Sequence, residues 1–538
     1  MLDVYGKGGV WKSALLLIAA GLLTACNDDS GSGKKSVPVE EKSVPAVFNF
    51  TTLEASADKD GTFVFTWDKS KHAETYQVCR QEDSLEDLCD PIGKPVTSTT
   101  LKLASSEIKA IQGNSYFIRA RNEVGYKDSG VLDMALTDLI SSISRLEASN
   151  ISVDAYFGHV TSLSSDGKTL AVSAPHNSAT VNSGVYVFNR GDNGVWGAPA
   201  FLKHQGSPDS RFGSSISLSG DGKTLAVGAP LHEVIHSQEN NPDGSITRWG
   251  EFSGRVFVYS RDNKGRWGDP VALNKGEKLG GRDQFGHSVT LNDDGTRLVV
   301  GAIWEYVNHV QSGAAYVFDH HLQTGWGEPT KVTAPLTNIN EQDEFGYSVS
   351  LSADGHILAV GAPSYRGTSA SHPGNVYVFE WNTNGNWEAP LRLQSKHPRN
   401  ADHFGWSLSL SGNSNTLAVA PPYMEGVGRM THVYHRDASG IWNTQTPTLL
   451  HTPVGDYWGD VSLNNDGSVL AVVNGFNGRV NVFSRDDRGV YGAPRYLENK
   501  DFGSISLSGD GKTLAVGANT EDSSDNSVKD AGAVYIYQ

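Results

Sequence analysis

The chain has 538 residues, of which 59 are glycine and only 19% are charged, and its formal net charge is −16. That length exceeds one ordinary domain, and short β-branched and aromatic runs between glycines point to an all-β protein. No concentrated basic surface is legible, which argues against a phosphate-backbone binder, so no nucleic-acid partner is expected.

Residues 1–25 read as an export signal rather than as fold. Lys7 and Lys12 precede the apolar run ALLLIAAGLL, Ala14 to Leu23. The run is too short to span a bilayer and suits a signal h-region. It ends in Leu23-Thr24-Ala25-Cys26, which resembles the lipobox of bacterial lipoproteins. The resemblance implies acylation of Cys26 and, because Asn27 follows, delivery to the outer membrane. The lipid bilayer is then a partner through several acyl chains, which anchor far more durably than one. Residues 26–45 are polar and rich in Ser, Pro and charge, the composition of a flexible spacer. The remainder is expected as a monomeric body on a tether, at the periplasmic side or the cell surface.

Residues 46–137 form a first module. FVFTW (63–67), TYQVCR (75–80), TTLKLA (99–104) and SYFIRARN (115–122) read as strands separated by turn signals, a β-sandwich pattern. Cys79 and Cys89 are expected to form a local disulfide in an exported, oxidising setting. A metal pair is not expected, since no CxxC and no clustered His accompany them. Trp67 at a strand end, Tyr116 ahead of IRARN, and Asn122 with Gly125 in the following turn make the module resemble a fibronectin type III domain.

From 138 to 538 the chain repeats itself. Phe157-Gly158, Phe212-Gly213, Phe285-Gly286, Phe345-Gly346, Phe404-Gly405, Trp458-Gly459 and Phe502-Gly503 open seven copies of one grammar. In the fourth, YSVSLS is a strand, ADGH a tight turn, ILAVGAP a more apolar strand, NVYVFEW a third and LRLQS a fourth. Four sequential strands make one blade, and seven blades close a propeller. The last copy stops at its third strand, AVYIYQ, and SSISRLEAS (141–149) has the place and character to supply the fourth. This grammar resembles the FG-GAP repeats of integrin α-subunit propellers and of the bacterial proteins that carry them. The expected fold is therefore a seven-bladed β-propeller behind a fibronectin-like sandwich.

The resemblance raises Ca²⁺, which integrin-type repeats often hold between strands one and two. Here those turns (SSDGK, SGDGK, NDDGT, SADGH, SGNSN, NNDGS, SGDGK) offer at most one or two carboxylates, too few for a cation wanting six to eight oxygens. Asp-Gly between strands is a plain hairpin signal, and no metal or cofactor is expected. The repeated Phe-Gly and the Trp196, Trp267, Trp326, Trp387, Trp442 series, with Tyr491, read as packing. No GxSxG elbow, HExxH, P-loop or nucleophilic Cys is present. Variation concentrates in the loops between second and third strands. Arg248, Trp249, Trp304, Tyr306, Tyr365, Arg366 and Tyr423 stand there, of the types that anchor interfaces and glycans.

The leading expectation is a binding or adhesion module for a partner protein or glycan. The alternatives are a polysaccharide hydrolase or lyase in the central funnel, and a periplasmic assembly scaffold. Convergent carboxylates or a His–Tyr pair in a deep central pocket would mark the enzyme, and a flat aromatic-rimmed loop face the binder.

Overall fold

The computed structural model describes residues 44–538, apart from short segments that are chiefly 47–49, 56–61, 82–88, 105–114, 134–142, 176–183, 204–209, 241–245, 277–281, 365–372, 397–402, 421–429, 452–458, 475–478 and 499–502. Cys26 and the leader lie outside the described residues.

In the first module, strands Phe50–Ala55, Thr62–Trp67 and Thr100–Ala104 form one sheet. Cys89–Val96, Thr75–Gln81, Ser115–Arg121 and Tyr126–Asp128 form a second, with Leu132–Asp133 added beside Ser115–Arg121. Phe65, Val78 and Ile118 are buried, and the Trp67 ring packs 5.5 Å from that of Tyr76. Asn122 Oδ1 accepts from the amides of Val124 and Gly125, which ties the turn after the fourth predicted strand. Cys79 is buried and disulfide-bonded, and Cys89 opens the strand that pairs with its own.

The repeats build a β-propeller. Among the described residues they give seven four-stranded antiparallel sheets, the third with the two-residue strand Gly325–Trp326 in addition. The fourth is typical: Val349–Leu351, Ile357–Ala362, Asn375–Glu380 and Leu391–Leu393 follow in hairpin order. Its second strand, ILAVGA, is buried throughout. A continuous apolar run is what a strand covered on both faces requires, and neighbouring sheets supply the cover. The seventh sheet is completed by Ile143–Leu146, which pairs with Ala533–Tyr537. A strand from before the first repeat thus closes the last one and removes two exposed edges.

Phe157, Phe212, Phe285, Phe345 and Phe404 are all within 1% of full burial. Phe345 sits in a cluster with Val299 and Val317 of the preceding sheet and packs 5.5 Å from Tyr377 of its own. Each such ring fills the wedge between adjacent sheets. The glycine after it is required by geometry. Gly346 has φ +92°, and a Cβ there would stand 2.5 Å from the Ala314 carbonyl oxygen. Trp196, Trp442 and Tyr491 are buried, and Trp267, Trp326 and Trp387 pack half-buried against the cores between sheets.

Candidate functional site: an axial funnel

The innermost strands of the seven sheets line the propeller axis, and the two ends of that axis differ. At one end stand the strand-one-to-two turns. Their backbones form a closed ring: Ser165 N donates to Gly220 O, Asp221 N to Asp293 O, Asp293 N to Ala353 O and Ala353 N to Gly412 O. Asn413 N to Asn465 O, Asn465 N to Gly509 O and Gly509 N to Ser165 O complete the circuit. The Asp293 carboxylate reaches across it, accepting from Ser165 Oγ at 3.3 Å and from the Asn465 side chain. Burial, with Asp294 and Asp221 nearby, holds this carboxyl above the ordinary carboxylate range. Gly220 leaves the room it needs, since a Cβ there would meet Asp293 at 2.4 Å. This end is plugged.

The turn aspartates are occupied locally. Asp166 Oδ1 accepts from Ser164 Oγ and from the Lys168 amide, and Asp221, Asp354 and Asp510 repeat the pattern. Among the described residues, no group of three or more His, Cys, Asp or Glu side chains is arranged to hold a metal.

A second register holds the sheets together midway. The amide of the leucine ending one inner strand donates to the serine one residue before the end of its neighbour: Leu218 to Ser162, Leu291 to Ser217, Leu410 to Ser350, Leu463 to Ser409 and Leu507 to Ser462. Leu163 to Ser506, at 2.9 Å, joins the first sheet to the last.

The opposite end opens into a cavity of about 400 Å³. The residue after each Phe-Gly lines it in the first five sheets: His159, Ser214, His287, Tyr347 and Trp406. One step deeper runs a ring of small hydroxyls. Ser215 Oγ donates to Gly286 O, Ser288 to Gly346 O, Ser348 to Gly405 O and Ser504 to Gly158 O. The ring is broken twice, by Val160 in the first sheet and by Asp460 in the sixth, whose Oδ1 accepts from Ser407 Oγ at 2.6 Å and from the Val461 amide.

Sequence spacing sets the last two sheets apart at the mouth. From the Phe-Gly or Trp-Gly pair to the inner-strand leucine, the sixth and seventh repeats (WGDVSL, FGSISL) are one residue shorter than the others, such as FGYSVSL. The mouth residue is the one lost, and Gly459 and Gly503 line the funnel in its place. The mouth is therefore lopsided. On one wall His287, Tyr347 and Trp406 form a continuous aromatic arc, with ring centroids 4.7 Å and then 4.4 Å apart. Next to it, after Trp406, the sixth and seventh sectors carry no side chain, and His159 of the first sheet follows them.

The lumen shifts its titratable groups. Burial within the walls pushes the Asp460 carboxyl up, against three hydrogen bonds that favour its charged form. Burial, and then the Arg211 guanidinium, push the His159 imidazole down. Asp460 is the one carboxylate among the described residues lining the cavity.

The residues expected to bind from the loops stand as follows. Strand direction puts the second-to-third-strand loops on the face where the funnel opens. Trp304 is half-buried beside the Tyr306–Val307 and Val310–Gln311 hairpin, and Tyr306 is exposed. Arg248 and Trp249 lie in a strand, Ile246–Glu251, of a second hairpin, and their side chains are outside the described residues. Tyr365, Arg366 and Tyr423 also lie outside them. Sequence reading did not name the funnel residues, although the one-residue shortening of the last two repeats is visible on alignment of the seven copies.

The family model for the FG-GAP repeat matches residues 280–318 and 326–379. Integrin alpha-7 of Rattus norvegicus is 32% identical over 154 residues, which is 27% of this chain and 12% of that protein. Integrin alpha-7 of Homo sapiens is 31% identical over the same length and likewise covered for 12%. The match thus spans about an eighth of the curated relatives. Among solved structures, the periplasmic gluconolactonase of Pseudomonas aeruginosa aligns with a TM-score of 0.42 at 17% identity, over 72% of this chain and 94% of that one.

Proposed function

We propose that this protein is an extracytoplasmic binding module: a lipoprotein anchored through Cys26, with a fibronectin type III-like sandwich and a closed seven-bladed propeller that holds its ligand at the axial funnel. The observation behind this reading is the contrast within the funnel. An aromatic arc, a bare wall and, among the described lining residues, one carboxylate make a recognition surface; hydrolysis of a glycosidic bond normally uses two carboxylates flanking it. A cavity of about 400 Å³ falls in the range of small-ligand sites, roughly 300–1,000 Å³.

The test uses the full chain purified in detergent and exposed to arrays of glycans and secreted proteins. Retention of a ligand class, weakened by Trp406→Ala, is the expected result. A chain that retains nothing on either array sinks the binding reading. Release of Cys26→Ser protein from the membrane fraction checks the anchor, and protease shaving of intact cells separates surface display from a periplasmic scaffold.

One observation favours a second reading. His159, Asp460 and the contacting His287–Tyr347 pair share one lumen, an arrangement of titratable groups that fits acid–base chemistry on a bound sugar. New reducing ends or unsaturated products from a polysaccharide panel, abolished by Asp460→Asn, would replace binding with catalysis.

A further inference from the structure

The hydroxyl ring of the funnel has a chemical polarity that selects its ligand. A serine hydroxyl has one proton to give. Ser215, Ser288, Ser348 and Ser504 give theirs to a glycine carbonyl of the next sheet, and Ser407 gives its own to Asp460. What these oxygens keep for the lumen is lone pairs. Asp460 adds carboxylate oxygens at the same depth. The floor of the funnel is thus rich in acceptors, and it is complemented by a molecule rich in hydroxyl donors.

The wall sets a second requirement. His287, Tyr347 and Trp406 overlap one another along one side, with interplanar angles of 55° and 40°. They make a strip rather than a box. A quaternary ammonium is held by aromatic faces on several sides, and here one ring, His159, stands outside the strip while Gly459 and Gly503 leave two sectors without a side chain. An aromatic strip that ends in open space suits a ring with one apolar face. The polar edge of that ring then points down to the serines and Asp460. Polyanions are disfavoured as well, because an acceptor-rich floor carrying a carboxylate repels them.

We infer that the funnel binds a neutral pyranose at the end of a saccharide, stacked on Tyr347 and Trp406 with its hydroxyls donating to the serine ring and Asp460. The inference rests on the binding reading above and names its ligand class. The bare sectors at Gly459 and Gly503 are where the rest of the saccharide leaves the funnel. They differ in tolerance. A Cβ at Gly459 would stand 2.6 Å from the Val473 carbonyl, whereas one at Gly503 meets only the Asn519 side chain, at 3.4 Å. Gly503→Trp therefore rebuilds the missing wall within the existing backbone.

The experiment is calorimetric titration of the full chain in a polyoxyethylene detergent, which has no sugar headgroup. The probes are maltose, cellobiose and lactose as neutral disaccharides, methyl glucuronide as the anion and choline as the cation. At least one neutral disaccharide binds, Trp406→Ala weakens it at least tenfold, and Gly503→Trp abolishes it while the thermal midpoint is kept. Ser348→Ala, a milder change that keeps the aromatic strip, weakens the same ligand severalfold. Preference for methyl glucuronide or choline overturns the assignment, as does disaccharide binding insensitive to both wall substitutions. If no disaccharide binds yet the arrays retain a partner that Gly503→Trp does not affect, the pyranose inference fails while the binding reading stands. If the arrays are empty too, both fail.

Discussion

The two ends of one axis are built from the same seven strands and serve opposite ends. At the turn end every sheet contributes the same element, and seven backbone hydrogen bonds make a ring that Asp293 crosses. At the mouth the first five sheets contribute His, Ser, His, Tyr and Trp in turn, and the last two contribute no side chain. Uniformity is what closing a ring demands, because each interface must repeat the same angle and spacing. Variation is free where side chains face a lumen instead of a neighbour. Substitutions at the wedges and the plug should therefore act on stability, and substitutions at the mouth on binding.

The largest effect is expected from Phe345→Ala. The ring is fully buried between two sheets, and removing a buried Phe costs about 3–5 kcal/mol. Chemical denaturation would read this as a lower midpoint, with any surviving folded protein keeping its ligand affinity. An unchanged midpoint would mean that the wedge is not where the propeller is held.

At the mouth, Gly503→Trp should remove binding with a stability change near the ±0.5 kcal/mol usual for exposed sites. A comparable loss of stability would make the bare wall part of the scaffold and blur the contrast.

The plug is tested by pH. The Asp293 carboxyl is raised in the folded state, so the native protein holds its proton more tightly than the unfolded chain does. Its favourable contribution is complete below the unfolded value of about 3.9 and is lost as pH rises through the folded value. Asp293→Asn keeps hydrogen-bonding capacity without the charge. The variant should melt higher than the parent at pH 7, with the gap closing as pH falls below about 4. A gap that persists at low pH would assign the effect to packing.

The smallest effect is expected at Tyr306, which is 54% exposed on the face where the funnel opens. Tyr306→Ala should leave stability within about 0.5 kcal/mol and funnel binding unchanged. Lost binding would move the site outward to the loops, among the residues first expected there.

The scaffold was legible because its signals are local and repeated. Phe-Gly pairs, Asp-Gly turns and apolar second strands recur at each copy, and ILAVGA is buried as its composition predicts. The closing strand was legible too, since a seventh copy one strand short needs a partner, and Ile143–Leu146 supplies it. The funnel was harder to read. His159 and Trp406 stand 247 positions apart in sequence, and the place they share after Phe-Gly holds a variable residue from copy to copy. Reading outward from the long loops favoured Tyr306 and Trp304, because exposure and aromatic content are visible in sequence while convergence is not.

By itself the sequence determined that strands alternate with turns, that one grammar repeats, and where the aromatic wedges fall, because hydrophobic period and turn chemistry act over a few residues. Only the tertiary structure decided which end of the axis is plugged and which residues share the open one. Ring closure converts a position within each repeat into a position around a circle, so a one-residue shortening in two repeats becomes a gap in the wall next to an aromatic arc.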